Sequence, residues 1–445
     1  MTGHINLQLG WPSPSIFPSE QVLQASSNVL TSPKKSAASL VYGPDAGYAP
    51  ARDSIAKWLS SIYNSPTTSE NVCITNGASG NLDNVLARFT EPGYTRNIWM
   101  IEPSYFLACP IFLDAGFEGR LRGVPEDEEG LDVEFLRAAL KESEKSATQQ
   151  EARLKTGPRY KKLYKHIIYG VPTFSNPSGK TMSLRRRQEL VRLAREFDAL
   201  VVTDDVYDVL RWPQNPDTDV SQLGSVPPRI VDLDRTLDDG VKDDFGNAVS
   251  NGSFSKIIAP GMRVGWAEGT PAFTLALSQV GSTRSGGCPT QISASFVHEM
   301  LETGSLQEYL SKTVIPTFRE RYYAMFEAIE AKLVPLGFEI SVGKPYEATF
   351  PTNGQKAGGY FTYLTLPSDV SGRGAELASL GLRDYDLKFA YGDMFQVDGD
   401  PDCAARAAKG FGKGVRLSWA WHSKEEIVEG IERLAKLISD TRNGS

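Results

Sequence analysis

Leu190-Val191-Arg192-Leu193-Ala194-Arg195-Glu196-Phe197-Asp198-Ala199-Leu200-Val201-Val202-Thr203-Asp204 is the stretch whose reading decides the fold. Leu190, Leu193, Ala194 and Phe197 recur at helical spacing, so 186–199 reads as an amphipathic helix. Leu200 to Thr203 is a continuous apolar run that stops at Asp204, as in a strand covered on both faces. A helix feeding directly into such a strand is the repeating unit of an α/β domain.

The same alternation extends in both directions. Strands are expected at 71–75, 97–101 and 165–171, and Leu82, Val85, Leu86 and Phe89 mark a helix after the first. The expectation is α/β, a mostly parallel sheet sandwiched by helices. The last third differs, with a long helix over 315–333, strands at 359–366 and 414–419, and a closing helix over 424–438. That is a smaller α+β lobe. The expected division is a large domain over 46–315 and a small one from 1–45 with 316–445. Two polar stretches, 142–159 and 235–251, read as exposed insertions.

Composition narrows the function. The 445 residues carry a net charge of -7, without the basic patch of a nucleic-acid binder. The four cysteines and four histidines are scattered and show no metal-ligand spacing, so no metal is expected. No apolar run is long enough for a membrane. The start carries no signal core, and the expected location is cytoplasmic.

Chemistry concentrates in loops that follow the strands, where ligands bind in open α/β sheets. Ser253-Phe254-Ser255-Lys256 with Arg263 one loop further on places an amine beside two hydroxyls and a guanidinium. That set suits an aldehyde cofactor with a phosphate: Lys256 forms the Schiff base, and Ser253, Ser255 and Arg263 hold the phosphate. Thr75-Asn76-Gly77-Ala78-Ser79 opens a helix, whose free N–H groups and dipole favour an anion. Gly179-Lys180-Thr181 imitates a nucleotide loop, but Phe174 stands where that motif needs glycine. Asn176-Pro177 and Thr203-Asp204-Asp205-Val206-Tyr207 follow two further strands. Either acid of the doublet could equally cap a helix. Arg416, in the apolar run Gly414 to Trp419, offers a planar fork that matches a carboxylate.

Taken in this order along the chain, these segments resemble the class I/II aminotransferases, the fold-type I enzymes that use pyridoxal 5'-phosphate. The resemblance implies a catalytic Lys256 acting as general acid and base, with Asp204 on the pyridine nitrogen and Tyr207 and Asn176 on the phenolic oxygen. It implies ring stacking by Tyr105 and phosphate contacts from Ser79, Ser253, Ser255, Arg263 and the backbone of Ala78. Tyr42, in Leu40-Val41-Tyr42-Gly43-Pro44, would reach the phosphate of a neighbouring subunit, so a homodimer with shared sites is implied. Gly10, Asn176 and Arg416 would bind the substrate, Arg416 through its α-carboxylate. Gly10-Trp11-Pro12-Ser13-Pro14, Phe17-Pro18 and the Asp204-Asp205 doublet resemble the 2-aminoadipate, kynurenine and aromatic subgroup. The implied reaction moves the amino group of an aromatic or 2-aminoadipate-like amino acid to a 2-oxo acid in two half-reactions. Tyr360, Phe361, Trp266 and Trp421 are candidate aromatic lining, and Arg284 is a candidate for a distal carboxylate. Two other functions share these residues: a carbon–sulfur β-lyase and a non-catalytic cofactor-binding regulator.

Overall fold

The computed structural model describes residues 3–146, 151–341, 343 and 356–443. Its centre is an eight-stranded sheet built from β1 (Val72–Thr75), β2 (Asn97–Glu102), β3 (Leu121–Asp127), β4 (Gly130–Leu131), β5 (His166–Gly170), β6 (Ala199–Asp204), β7 (Ala248–Ser253) and β8 (Gly265–Glu268). The spatial order is β1-β8-β7-β6-β5-β2-β3-β4. From β7 to β3 all neighbours are parallel, while β8 runs antiparallel to both β7 and β1.

Period-two alternation explains why the sheet is covered on both sides. Ile98, Met100, Ile167, Tyr169, Leu200 and Val202 face one apolar cluster, with Leu82, Val85, Leu86 and Phe89 of α1 (Ala78–Phe89). Trp99, Ile101, Ile168 and Val201 face the other, with Leu190, Leu193 and Ala194 of α2 (Leu184–Glu196). The α2 helix starts at Ser183, whose hydroxyl accepts from the Arg186 N–H, and it ends three residues earlier than the apolar spacing predicts. Asp198 adopts φ 49°, a left-handed stop that turns the chain into β6.

The C-terminal part carries a second sheet of β9 (Glu339–Ile340), β10 (Phe361–Thr365), β11 (Ala390–Tyr391) and β12 (Gly414–Ser418), in the order β9-β10-β12-β11. The helix α3 (Ile315–Ala328) and the closing helix α4 (Lys424–Asn443) pack together against this sheet's core. The segment Ile5–Asn6 pairs in parallel with Leu387–Lys388, which ties the N-terminal stretch to this lobe.

One expected insertion is corrected. The 235–251 stretch is not all exposed, because Ala248–Asn251 lie in β7 at the centre of the main sheet and are buried. The sequence Ala-Val-Ser-Asn-Gly-Ser hides this strand, since its polar residues are satisfied inside the protein rather than by water. Of the 142–159 stretch, 147–150 lie outside the described residues. Past them, the N–H groups of Arg153, Leu154 and Lys155 converge on the buried Glu91 carboxylate, so that side is anchored.

Beneath the main sheet, Arg229 bonds Asp232 and lies 2.6 Å from Glu268, with both partners buried. Arg235 also pairs with both acids, so removing Arg229 leaves two buried carboxylates to share one cation. We expect Arg229→Met to lower the free energy of unfolding by about 3–5 kcal/mol, read from urea midpoints. A midpoint equal to that of the unaltered protein would show that Arg235 alone satisfies both carboxylates.

Candidate active site

The strand ends converge as the fold class requires. Asp204 is the last residue of β6 and Ser253 the last of β7, with Lys256 in the short turn that follows. Asn176 stands in the loop after β5, Tyr105 in the loop after β2, and Ala78 and Ser79 open α1 after β1. A cavity of about 380 Å³ is lined by all of these together with Gly10, Tyr207, Ser255, Arg263 and Arg416. Among the expected site residues only Tyr42 stands apart: it is 89% exposed and lies near Gly286. A larger cavity of about 530 Å³, beside Glu126, Lys180 and Arg406, holds none of them. Convergence of donors, not volume, picks out the site.

Asp204 forms the floor. Its two carboxylate oxygens accept from the Tyr169 hydroxyl and the Asn251 amide, each at 2.6 Å. The same amide nitrogen donates to the Ala78 carbonyl, and Asn81 donates to the Asn251 oxygen at 2.9 Å, so the acid is fixed from β5, β7 and α1 at once. Burial pushes Asp204 up to about 6, held back by those two hydrogen bonds and by the charge of Lys256. Asp205 caps no helix, because none follows β6. It turns away from the cavity, accepts from the Thr203 hydroxyl at 2.8 Å, and is pushed up to about 8 by burial and by Asp208. Tyr169, Asn251 and Asn81 had no sequence signal, since each looks like an ordinary strand or helix residue until the sheet brings them together.

Lys256 points its amine at the Gly10 carbonyl, 2.6 Å away, and over the Tyr360 ring. Removal from bulk water lowers its pKa to about 8, with a further push from Arg416 and an opposing pull from Asp204. Gly10 has no room for a side chain, since a Cβ there would stand 2.5 Å from the Phe361 ring. The N-terminal stretch therefore crosses the site by backbone alone. Arg416, on β12, donates to Asn176 Oδ1 and to the Gln8 carbonyl, both at 2.6 Å, and stacks on Phe361. Its Nε has no partner among the described residues, and burial lowers its pKa to about 10.

Phe361 lines the cavity as expected. Tyr360 sits behind Lys256 and donates to its carbonyl. Trp266 does not line it, being packed in the core against Trp58 and Phe254, and Trp421 packs against Trp11 instead. Arg284 is also corrected as a side-chain receptor within this chain: it pairs with Asp45, away from the cavity wall. Each was chosen on residue type, which carries no information about direction.

The donor set can be compared with a phosphorylated pyridine aldehyde. Asp204 offers an anion for a ring nitrogen. The Asn176 amide nitrogen and the Tyr207 and Tyr105 hydroxyls have no hydrogen-bond partner among the described residues, so they are free for ligand oxygens. The first N–H groups of α1 lack helical acceptors, and Ser79, Ser255 and Arg263 line the same cavity. Gly77, at φ 99°, lets Arg263 approach, because a Cβ there would meet its Nη2 at 2.5 Å. The residues fit the group.

Comparison with known proteins decides the family. A model of aminotransferase class I and II matches residues 7–356. The chain belongs to this family. The Saccharomyces cerevisiae protein YER152C is 34% identical, over 96% of this chain and 95% of its own. Aromatic-amino-acid aminotransferase 1 of Thermococcus litoralis is 29% identical, over 98% of this chain and 88% of its own. The structure of LysN, the α-aminoadipate aminotransferase of Thermus thermophilus bound to N-(5'-phosphopyridoxyl)-L-leucine, superposes with a TM-score of 0.73 at 26% identity. It covers all of this chain and 94% of its own. The aminotransferase described here is therefore a transaminase of fold type I, and its cofactor is pyridoxal 5'-phosphate. No helix among the described residues is long and apolar enough to cross a membrane.

Proposed function

We propose that this enzyme moves the amino group of an α-amino acid to a 2-oxo acid by a ping-pong mechanism. Lys256 is the proton-transferring residue, and aromatic or 2-aminoadipate-like donors are favoured. The observation that carries the reading is one cavity with a lysine amine of lowered pKa between a buried carboxylate and a buried guanidinium. When bound, the cofactor acts as an electron sink for the substrate α-carbon.

The chain's own groups divide the remaining work. Lys256 would hold the cofactor through its amine and, once released, would move the substrate's α-proton, the task of a base with pKa near the working pH. Asp204, braced by Tyr169 and Asn251, keeps a negative charge against the ring nitrogen. The Asn176 amide and the Tyr207 hydroxyl would donate to the phenolic oxygen, and Tyr105 would pack against the ring. Ser79, Ser253, Ser255, Arg263 and the α1 N–H groups would hold the phosphate, helped by Tyr42 from a second copy of this chain. Arg416 takes the α-carboxylate, exchanging its bond to the Gln8 carbonyl for a charge-assisted pair. Gly10 lies beside the substrate. The subgroup preference is supported by similarity to an aromatic aminotransferase and to LysN.

A spectrophotometric screen of the holoenzyme against amino acids tests the reaction. We expect conversion of the cofactor to its amine form by aromatic or 2-aminoadipate-like donors and its reversal by a 2-oxo acid. Pyruvate and ammonia released without any acceptor would assign a β-lyase instead. Arg416→Leu should lower kcat/KM about 10²–10³-fold, because a buried charge-assisted contact is lost. An unchanged kcat/KM would remove Arg416 from the substrate site.

The two shifted groups predict how the cofactor-free protein loads. The Lys256 amine attacks only when neutral, and its pKa is depressed to about 8, so loading accelerates as pH rises through about 8. Asp204 is charged only above about 6, so cofactor affinity weakens as pH falls through that value. Stopped-flow absorbance from below the Asp204 value to above the Lys256 value reads both. A loading rate flat across that range would contradict the assignment of the amine.

A further inference from the structure

A cavity of about 430 Å³ lies apart from the active site and shares no wall residue with it. It sits at the edge where the parallel strands begin: Lys161 precedes β5, Phe245 precedes β7, and Arg88 is next to the last residue of α1. The active site occupies the opposite ends of the same strands. Arg88 is buried, yet its Nη1 has no hydrogen-bond partner and its guanidinium no acidic partner among the described residues. Arg186, Arg229 and Arg433 are also buried, and each pairs with an acid. Arg416 is the match for Arg88, buried with an orphaned Nε, and it is the arginine given above to a substrate carboxylate.

Arg88 Nη2 donates to the Arg159 carbonyl, and both guanidiniums stand 5.3 Å from the centre of the Tyr160 ring. Arg159, Lys161 and Arg284 join Arg88 on the wall, and no acid lines it. The nearby Glu91 carboxylate is taken up by the N–H groups of Arg153, Leu154 and Lys155, and Arg284 is shared with Asp45. A buried guanidinium with an unmade hydrogen bond is costly, and an oxyanion in the cavity removes that cost.

We propose that this cavity binds a small phosphate monoester whose organic part is apolar. A dianion answers several cations at once, and guanidinium nitrogens donate in the geometry a phosphate accepts. Phe245, Leu275 and Ala276 supply the surface for the apolar body. The proposed reaction uses none of these residues.

Phenyl phosphate is the probe, titrated calorimetrically into the holoenzyme, whose own phosphate site is filled by the cofactor. We expect saturable binding with the cofactor absorbance unchanged, and a thermal midpoint that rises with probe concentration. Arg88→Met should weaken binding about 10- to 100-fold, the scale of one buried charge-assisted hydrogen bond. Lys161→Glu reverses an exposed charge and keeps the test if Arg88→Met does not fold. It should weaken binding about three- to tenfold, and less in high salt. Inorganic phosphate, without an apolar body, and benzyl alcohol, without a charge, should each bind at least about tenfold more weakly than phenyl phosphate. Unaltered affinity in the folded variants, or release of the cofactor during the titration, overturns the proposal. An oligonucleotide that competes more tightly than phenyl phosphate overturns it too, by making this face a nucleic-acid surface.

Discussion

Lys256→Ala loses transamination by about 10⁴-fold or more, the upper range for removing a positioned acid–base group. The side chain has two tasks on this reading, and alanine performs neither. Its amine is the nucleophilic nitrogen in the cavity with a depressed pKa, and it stands between the Gly10 carbonyl and the Tyr360 ring. Arg416 cannot take its place, because it stays charged at neutral pH and is tied to Asn176 and Gln8. The measurement is twofold. Steady-state rates are compared for a good donor, and both proteins are treated with borohydride, digested and analysed by mass. The unaltered protein should carry reduced cofactor on the peptide containing residue 256, and the variant on none. Covalent cofactor retained by the variant would reassign the lysine.

Asp204→Asn gives the second large effect, a fall in kcat of about 10²–10⁴-fold with the fold intact. Asparagine has the same shape and still accepts from Tyr169, but it carries no charge to hold a proton on the ring nitrogen. It also sets an amide N–H₂ against the Asn251 amide, whose nitrogen donates to Asp204 at 2.6 Å. The Asn251 side chain must then turn, giving up its bond to the Ala78 carbonyl or to Asn81. We therefore expect weaker cofactor binding as well as slower turnover. Asp204→Glu, which keeps the charge but moves it by one methylene, should recover part of kcat. An asparagine variant within about threefold of the unaltered rate would show that another group protonates the ring.

Much of this arrangement was legible in the chain. Strands with alternating partners on two faces, such as Ile167, Ile168 and Tyr169, announce themselves by apolar content, and α2 by its spacing. The strand β7 did not, because Ser250, Asn251 and Ser253 are polar yet buried, and only their partners across the sheet make that tolerable. The end of α2 was overestimated, since nothing in the apolar spacing marks the left-handed turn at Asp198.

By itself the sequence determined the α/β class, the family resemblance and most of the polar residues that line the cavity, since local spacing and strand-end position are properties of the chain. Only the tertiary structure decided direction and partnership. It turned Asp204 toward the cavity and Asp205 away from it, and moved Trp266 into the core and Arg284 onto Asp45. It also brought Tyr169 and Asn251 to Asp204, two residues that no local pattern marked as part of a site. The physical reason is that pairing register and side-chain direction are fixed between segments far apart in the chain, where no local pattern records them.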